Sequence, residues 1–488
     1  MAPIKFTISD VQAALGVSAS RSDESETPVF HTVETDSRTM DTSGLFVALE
    51  GENFDGHAFM PDLLQKGVKG FVVKSKFPSR MSSDTAELVK KHNAALFPVP
   101  NTVEALGKLA RYQRMRSGVK VVAITGSNGK TSTRKMLGCI FSRAFSTLCT
   151  RGNMNNEIGL PLTLLQLSEE HEWAVVEMGM NHFGEIERLS NIAVPDIALI
   201  TNTSGAHLEG LKDVDGVARA KAEIFRGMNR NGTAVLPAFD PRVDMLAKEA
   251  QSNPDVGKIV YFGKESGPDG ITADSQRMET DGIAFTVRFS PDETLDVRLN
   301  SPAPFMVHNA LAACAASRSA GIGTEHIKAG LEAFTPVKGR MNLSRTEGGI
   351  TIIDDTYNAN PASMKAAIET LKTISGEGAS IAVLGDMLEL GDKSAAFHEE
   401  IGRFAAGTGL SKLYCYGDLA AHMVKGAVDG GLSSANAFSG TKEEIGKAVV
   451  QAASEQPVWI LVKGSRSMKM EEVIDIIKTF SAKEESGS

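Results

Sequence analysis

The run Val121-Val122-Ala123-Ile124 leads straight into Thr125-Gly126-Ser127-Asn128-Gly129-Lys130-Thr131, and apolar residues then recur at Met136, Leu137, Ile140 and Phe141. A β-branched apolar stretch reads as a buried strand, and recurrence at 3–4 residue spacing reads as a helix. Two glycines, a lysine and a threonine between such elements make a phosphate loop. This unit constrains the fold, because buried strands followed by helices belong to a parallel sheet covered on both faces. It also selects a ligand. Glycine lets main-chain amides close on phosphate oxygens, and the helix N-terminus adds partial positive charge. Lys130 can reach terminal phosphates, and the Thr131 hydroxyl can bind Mg2+. The spacing is shorter than the common Walker A form, which would place glycine at Ile124. A Gly-rich turn with a solvated lysine is the competing reading, and the flanking strand and helix weigh against it.

At 488 residues the chain has room for three domains. With 42% apolar and 23% charged residues it has the balance of a soluble globular protein. The net charge of −9 comes from interspersed acidic and basic residues, so no nucleic-acid or membrane surface is expected. The four cysteines, Cys139, Cys149, Cys314 and Cys415, form no metal-ligand spacing and read as core residues of a protein in a reducing cytosol. No signal-like start and no run of 18 apolar residues is present, which points to a cytoplasmic location.

Three blocks follow from the pattern of apolar runs. Residues 1–115 read as a mixed α/β domain, with strand candidates at 45–49 and 70–73 and an exposed loop at 18–26. Residues 116–332 read as a doubly wound sheet, with strands at 119–124, 173–176, 197–200 and 234–236. Runs at 259–262, 283–287 and 295–299 read as an antiparallel addition to that sheet, closed by a helix at 309–320. Residues 333–488 carry strand candidates at 350–353, 381–384, 413–416 and 458–462, which read as a Rossmann-like domain. The fold class is therefore α/β, in three domains.

In an open parallel sheet, ligands sit beyond the carboxyl ends of the strands. Thr131, Glu177 and His207 all follow such ends, so a hydroxyl, a carboxylate and an imidazole converge on the phosphate loop and could share Mg2+. Singly, Glu177 reads as a strand-end charge and His207 as a loop histidine; their common position raises both. The loop Asn153-Met154-Asn155-Asn156-Glu157 could hydrogen-bond a peptide or sugar, or simply cap a helix. Lys221 lies on a helical stretch. It is either solvated or, if buried near a metal site, stripped of its proton.

Together these segments resemble the Mur ligases, ATP-dependent amide-bond ligases that build the cell-wall peptide. The resemblance spans nearly the whole chain. It rests on Asp36-Ser37-Arg38 and Asp55-Gly56-His57, on Thr125 to Thr131, and on Asn155-Asn156-Glu157, Glu177-Met178-Gly179, His207 and Lys221. In the last block it rests on Gly339-Arg340, Asp354-Asp355-Thr356-Tyr357-Asn358-Ala359-Asn360-Pro361, Gly385-Asp386-Met387-Leu388-Glu389-Leu390 and Lys463-Gly464-Ser465-Arg466. The segments 357–361 and 385–390 are most similar to the branch that joins D-Ala-D-Ala to UDP-MurNAc-tripeptide. The Asp-Asn-Pro-Arg segment of the ligase adding the preceding residue is missing. Phe305 stands where the family often has histidine, four residues before Asn309.

The resemblance implies an acyl-phosphate mechanism with ATP and Mg2+, two ions being expected, in a monomer. Lys130, Glu177, His207 and Lys221 become the catalytic candidates. Thr131, Glu177 and His207 become the metal ligands, with Lys221 joining them if carbamylated by CO2. Thr125, Gly126, Ser127, Asn128, Gly129, Lys130, Thr131, Asn309, Arg340 and Asp355 would hold ATP. Asp36, Ser37, Arg38, Asn155, Asn156 and Glu157 would hold the UDP substrate, and Tyr357, Asn358 and Asn360 would lie by the dipeptide. A ligase acting at another step of the superfamily, such as a folate ligase, and a nucleotide-binding scaffold without catalysis remain the competing readings.

Overall fold

Alternation within the strands places the two cores of the central block. In the computed structural model, which describes residues 5–21, 28–51, 54–205, 208–264, 270–279, 281–346 and 349–486, the strand Lys120–Thr125 sends Val122 and Ile124 to one face of a sheet and Val121 and Ala123 to the other. Val122 and Ile124 pack with Met136, Leu137 and Ile140 of the helix Lys130–Ala144. Val121 and Ala123 pack with Leu160, Leu189 and Val217 from helices on the opposite face. Both faces being covered, Trp173–Glu177 and Ile197–Ile200 are buried throughout.

This sheet has six strands, all parallel, in the order Thr147–Cys149, Trp173–Glu177, Lys120–Thr125, Ile197–Ile200, Gly232–Pro237, Val256–Phe262. The first strand in the chain thus lies inside the sheet, with later strands on either side. Strand order reverses there, opening a crevice beyond the carboxyl ends.

One expectation needs correcting. The run at 259–262 is not an antiparallel strand; it belongs to the parallel edge strand Val256–Phe262. Edge position leaves much of this strand accessible, so its sequence lacks the unbroken apolar run of the inner strands. The antiparallel addition is a separate three-stranded sheet of Thr272–Met278, Ile283–Ser290 and Glu293–Leu299. The closing helix begins at Phe305 and ends at Ser319.

In the first block, four parallel strands run in the order Thr32–Glu34, Gly44–Val47, Gly70–Lys74, Ala95–Val99. Part of the loop expected at 18–26 lies outside the described residues. The helix Thr102–Ser117, capped by Asn101, then leads to the central sheet. Its Arg114 is buried and donates to the carbonyls of Ala193 (2.9 Å) and Val194 (3.0 Å) and to Asp196 (3.0 Å). One apolar core runs from Leu45, Val72 and Phe97 through this helix to Val121 and Ala123.

The last block is a six-stranded sheet in the order Asn342–Arg345, Ile350–Asp355, Val458–Lys463, Ala379–Gly385, Lys412–Tyr416, Ala437–Ser439. Only the first pairing is antiparallel. Ile353, Leu384 and Leu461 share a core with Val122 and Ile124 of the central sheet. The carboxyl ends of Ile350–Asp355 and Val458–Lys463 contribute to the same cavity as those of the central strands.

Candidate active site

A cavity of about 900 Å³ lies where the two sets of strand ends meet. The phosphate loop forms one wall. Gly126 adopts φ +150°, and a Cβ there would come within 1.8 Å of the Thr201 hydroxyl; Gly129 adopts φ +82°, and its Cβ would meet Asn309 Oδ1 at 2.2 Å. Both positions therefore require glycine. Among the described residues no side chain caps the helix Lys130–Ala144, which leaves its first amides for a ligand. The loop is braced from the neighbouring strand end. Ser127 N–H donates to the Asn202 carbonyl (3.0 Å), Asn128 N–H to Asn202 Oδ1 (3.1 Å), and Thr201 Oγ1 to the Asn128 carbonyl (2.6 Å). Thr125 Oγ1 donates to the Met178 carbonyl (3.0 Å).

Lys130 Nζ donates to the Gly126 carbonyl (2.6 Å). Burial lowers its pKa, opposed by the Glu177 carboxylate and helped by Arg340. Thr131 Oγ1 donates to Glu177 Oε2 (3.1 Å), and Asn155 Nδ2 donates to Glu177 Oε1 (2.9 Å). Arg134, one turn along the same helix, brings Nε within 3.3 Å of Glu177 Oε2. Lys221 is buried at 2% exposure, with no hydrogen-bond or ion-pair partner among the described residues. Burial, and secondarily the charge of Lys130, hold its pKa well below the usual lysine range. His207 lies outside the described residues.

The facing wall comes from the last block. Asp355 binds Lys463 Nζ at 2.5 Å, and the same ammonium donates to the Asn358 carbonyl (2.8 Å). Burial lowers the Lys463 pKa, opposed by Asp355. The Arg340 guanidinium stacks on the Tyr357 ring at 4.1 Å, and among the described residues its Nε has no hydrogen-bond partner. Asn360 caps the helix Pro361–Ser375. Asn309 lines the cavity beside Phe305 and His308. The His308 ring stacks on Phe239 at 4.3 Å, and burial lowers its pKa.

Of the remaining sequence candidates, Asn155 and Asn156 reach the cavity. Asn156 Oδ1 also accepts from the amides of Ile158 (3.2 Å) and Gly159 (2.8 Å), the capping alternative in the flesh. Glu157 pairs with Arg188 outside the lining. Asp36, Ser37 and Arg38 lie on the first block, away from the cavity lining. There Arg38 binds Asp36 at 2.6 Å and pulls its carboxyl pKa down to about 2. Sequence reasoning gave no role to Lys463 or Arg134. Lys463 carried a usable signal, a lysine ending a buried apolar strand, whereas Arg134 reads as an ordinary helix-surface cation.

Three family models match the chain in succession. They are the catalytic domain of the Mur ligase family over residues 29–114, the Mur ligase middle domain over 124–317, and the Mur ligase glutamate ligase domain over 339–466. The UDP-N-acetylmuramoyl-tripeptide–D-alanyl-D-alanine ligase of Escherichia coli is 37% identical over 442 residues, 91% of this chain and 92% of that protein. A crystal structure of MurF from Acinetobacter baumannii superposes with a TM-score of 0.87 at 34% identity, covering 98% of this chain and 100% of that one. The MurF ligase of Thermotoga maritima, solved in complex with ADP, gives 0.78 at 28% identity over 93% and 98%. The likeness thus runs through all three blocks, and the chain belongs to the Mur ligase family.

Proposed function

We propose that this protein is an ATP-dependent amide-bond ligase that joins D-Ala-D-Ala to UDP-MurNAc-tripeptide, giving UDP-MurNAc-pentapeptide, ADP and phosphate for peptidoglycan synthesis. The observation that carries the reading is the convergence of Lys130, Thr131 and Glu177 on one wall of a cavity with Tyr357, Asn358 and Lys463 on the other. A cavity of about 900 Å³ has room for a nucleotide and an acceptor side by side. Relatives alike over more than nine-tenths of the chain bear the names of this ligase.

The tripeptide carboxylate attacks the γ-phosphorus of ATP, ADP leaves, and the dipeptide amine then attacks the acyl carbon and expels phosphate. Bringing a carboxylate against a triphosphate is opposed by charge repulsion. Lys130, at the end of the phosphate loop, offsets it and stabilises charge on the transferring group. The uncapped helix amides hold the neighbouring phosphates. Arg340, its Nε without a partner among the described residues and its plane stacked on Tyr357, would add positive charge from the facing wall. Thr125, Ser127 and Asn128 shape the loop, while Asn309 and Asp355 line the nucleotide's path. The first block, with Asp36, Ser37 and Arg38, holds the UDP end, helped by Asn155, Asn156 and Glu157. Tyr357, Asn358 and Asn360 lie by the dipeptide.

Mg2+ prefers oxygen donors and keeps phosphates and waters among its ligands. Thr131 Oγ1 and Glu177 Oε2, 3.1 Å apart at the loop, are such a pair and fit one ion. When bound, Mg2+ would neutralise phosphate charge. His207 remains the candidate for a second ion. Lys221 fits a carbamate because a buried lysine of lowered pKa offers the neutral amine that CO2 requires. Among the described residues no helix is long and apolar enough to cross a membrane. From the functional reading, whose substrates are ATP and a UDP-linked peptide, we propose a monomeric enzyme in the cytoplasm.

The test is phosphate release from ATP with UDP-MurNAc-tripeptide, with and without D-Ala-D-Ala, and mass analysis of the product. Release that needs both, and a product heavier by the dipeptide, supports the reading. Release with a single amino acid moves the enzyme to another step, and ATP binding without turnover on any acceptor leaves a scaffold.

A further inference from the structure

A side-chain pair spans the two walls of the cavity. Asn360 Nδ2 donates to Asn128 Oδ1 at 2.8 Å, across 232 positions of sequence. The orientation of both amides follows from the helix cap that Asn360 makes. Asn360 Oδ1 accepts from Ser363 N–H (2.9 Å) as the cap of the helix Pro361–Ser375, so its NH2 must face outward. That NH2 needs an acceptor, so Asn128 turns its Oδ1 toward Asn360 and its Nδ2 toward Ser204 Oγ (2.9 Å), a hydroxyl able to accept. Each partner is held rigidly on its own side. Asn128 is fixed through its main chain by Thr201 and Asn202. The loop ahead of Asn360 is pinned by Lys463 at Asp355 and Asn358.

We propose that the Asn128–Asn360 amide pair is a latch that couples the phosphate loop to the loop beside the acceptor, making Asn360 a positioning residue. A rigid loop on each side means that the pair forms only in one relative placement of the two walls. Seating of the acceptor-side loop and seating of the phosphate loop thereby favour one another. The proposal rests on the functional reading above for the identity of the acceptor, though not for the existence of the latch.

Asn360→Ser tests it, because serine caps helices nearly as well as asparagine yet is too short to reach Asn128. The expected result is an unchanged melting temperature, a KM for D-Ala-D-Ala about five-fold higher or a kcat about five-fold lower, the worth of one neutral hydrogen bond, and weaker compaction by an ATP analogue in small-angle scattering. In a double-mutant cycle, Asn128→Ser with Asn360→Ser should be no worse than Asn128→Ser alone. Wild-type kinetics and compaction in Asn360→Ser, or losses that multiply in the double variant, would overturn the latch. If Asn360→Ser also melts lower, the cycle still decides, since a cap defect multiplies with the Asn128 defect and a lost latch does not. Should the wild type fail to turn over D-Ala-D-Ala, the functional reading fails, and the cycle run on ATP-induced compaction judges the latch by itself.

Discussion

Lys221 and Lys130 are two cations pressed toward neutrality in one cavity, one without a described partner and the other facing Glu177. For Lys221 the folded pKa lies far below the unfolded value of roughly 10.4. Between those values the unfolded chain holds a proton that the native state lacks. Stability should therefore rise with pH across that window and fall as pH drops through it. Urea unfolding in CO2-free buffer at a series of pH values should show this slope, and Lys221→Met should flatten it. Bicarbonate should raise activity in the wild type and leave Lys221→Met unmoved. On the proposed function Lys130→Ala would remove charge acting on the transferring phosphoryl group, and kcat/KM should fall by about two to three orders of magnitude, read in the phosphate-release assay. Full turnover in that variant would place the phosphates elsewhere.

The helix Lys130–Ala144 depends on what precedes it. Gly129→Ala would force a β-carbon against Asn309 in a conformation with φ +82°, so we expect a loss of about 1–3 kcal/mol in stability and weaker ATP binding by calorimetry. The loop after Ala379–Gly385 is held by an imidazole. His398 is fully buried, its Nδ1–H donates to the Ser394 carbonyl (2.6 Å), and its Nε2 accepts from Met387 N–H (3.0 Å). His398→Ala should strand that amide and lower stability by about 1–3 kcal/mol in thermal unfolding, whereas glutamine should recover part of it. Long apolar strands such as 119–124 and 458–462 were legible because burial on both faces forbids polar interruptions. Thr147–Cys149, Asn342–Arg345 and Ala437–Ser439 were not, since three or four residues hold too little of a period to read. Of the candidates at strand ends, which could be read from order alone, the cavity gathers Thr131 and Glu177, while His207 lies outside the described residues. The Asp355–Lys463 pair could not, because 108 residues separate partners that only strand pairing makes neighbours.

At the scale of the molecule, the central sheet is a wall shared by two cores. Val121 belongs to the core that reaches Phe97 and Leu106 in the first block, and Val122 belongs to the one that reaches Met364 and Leu371 in the last. Residues adjacent in sequence therefore have opposite addresses. Hollowing the first position with alanine would speed amide hydrogen exchange toward Thr102–Ser117, and hollowing the second would speed it toward Pro361–Ser375. A single peptide bond thus separates two neighbours whose loosening should be felt at opposite ends of the chain, one at the end assigned to the nucleotide sugar and one at the end assigned to the incoming amine.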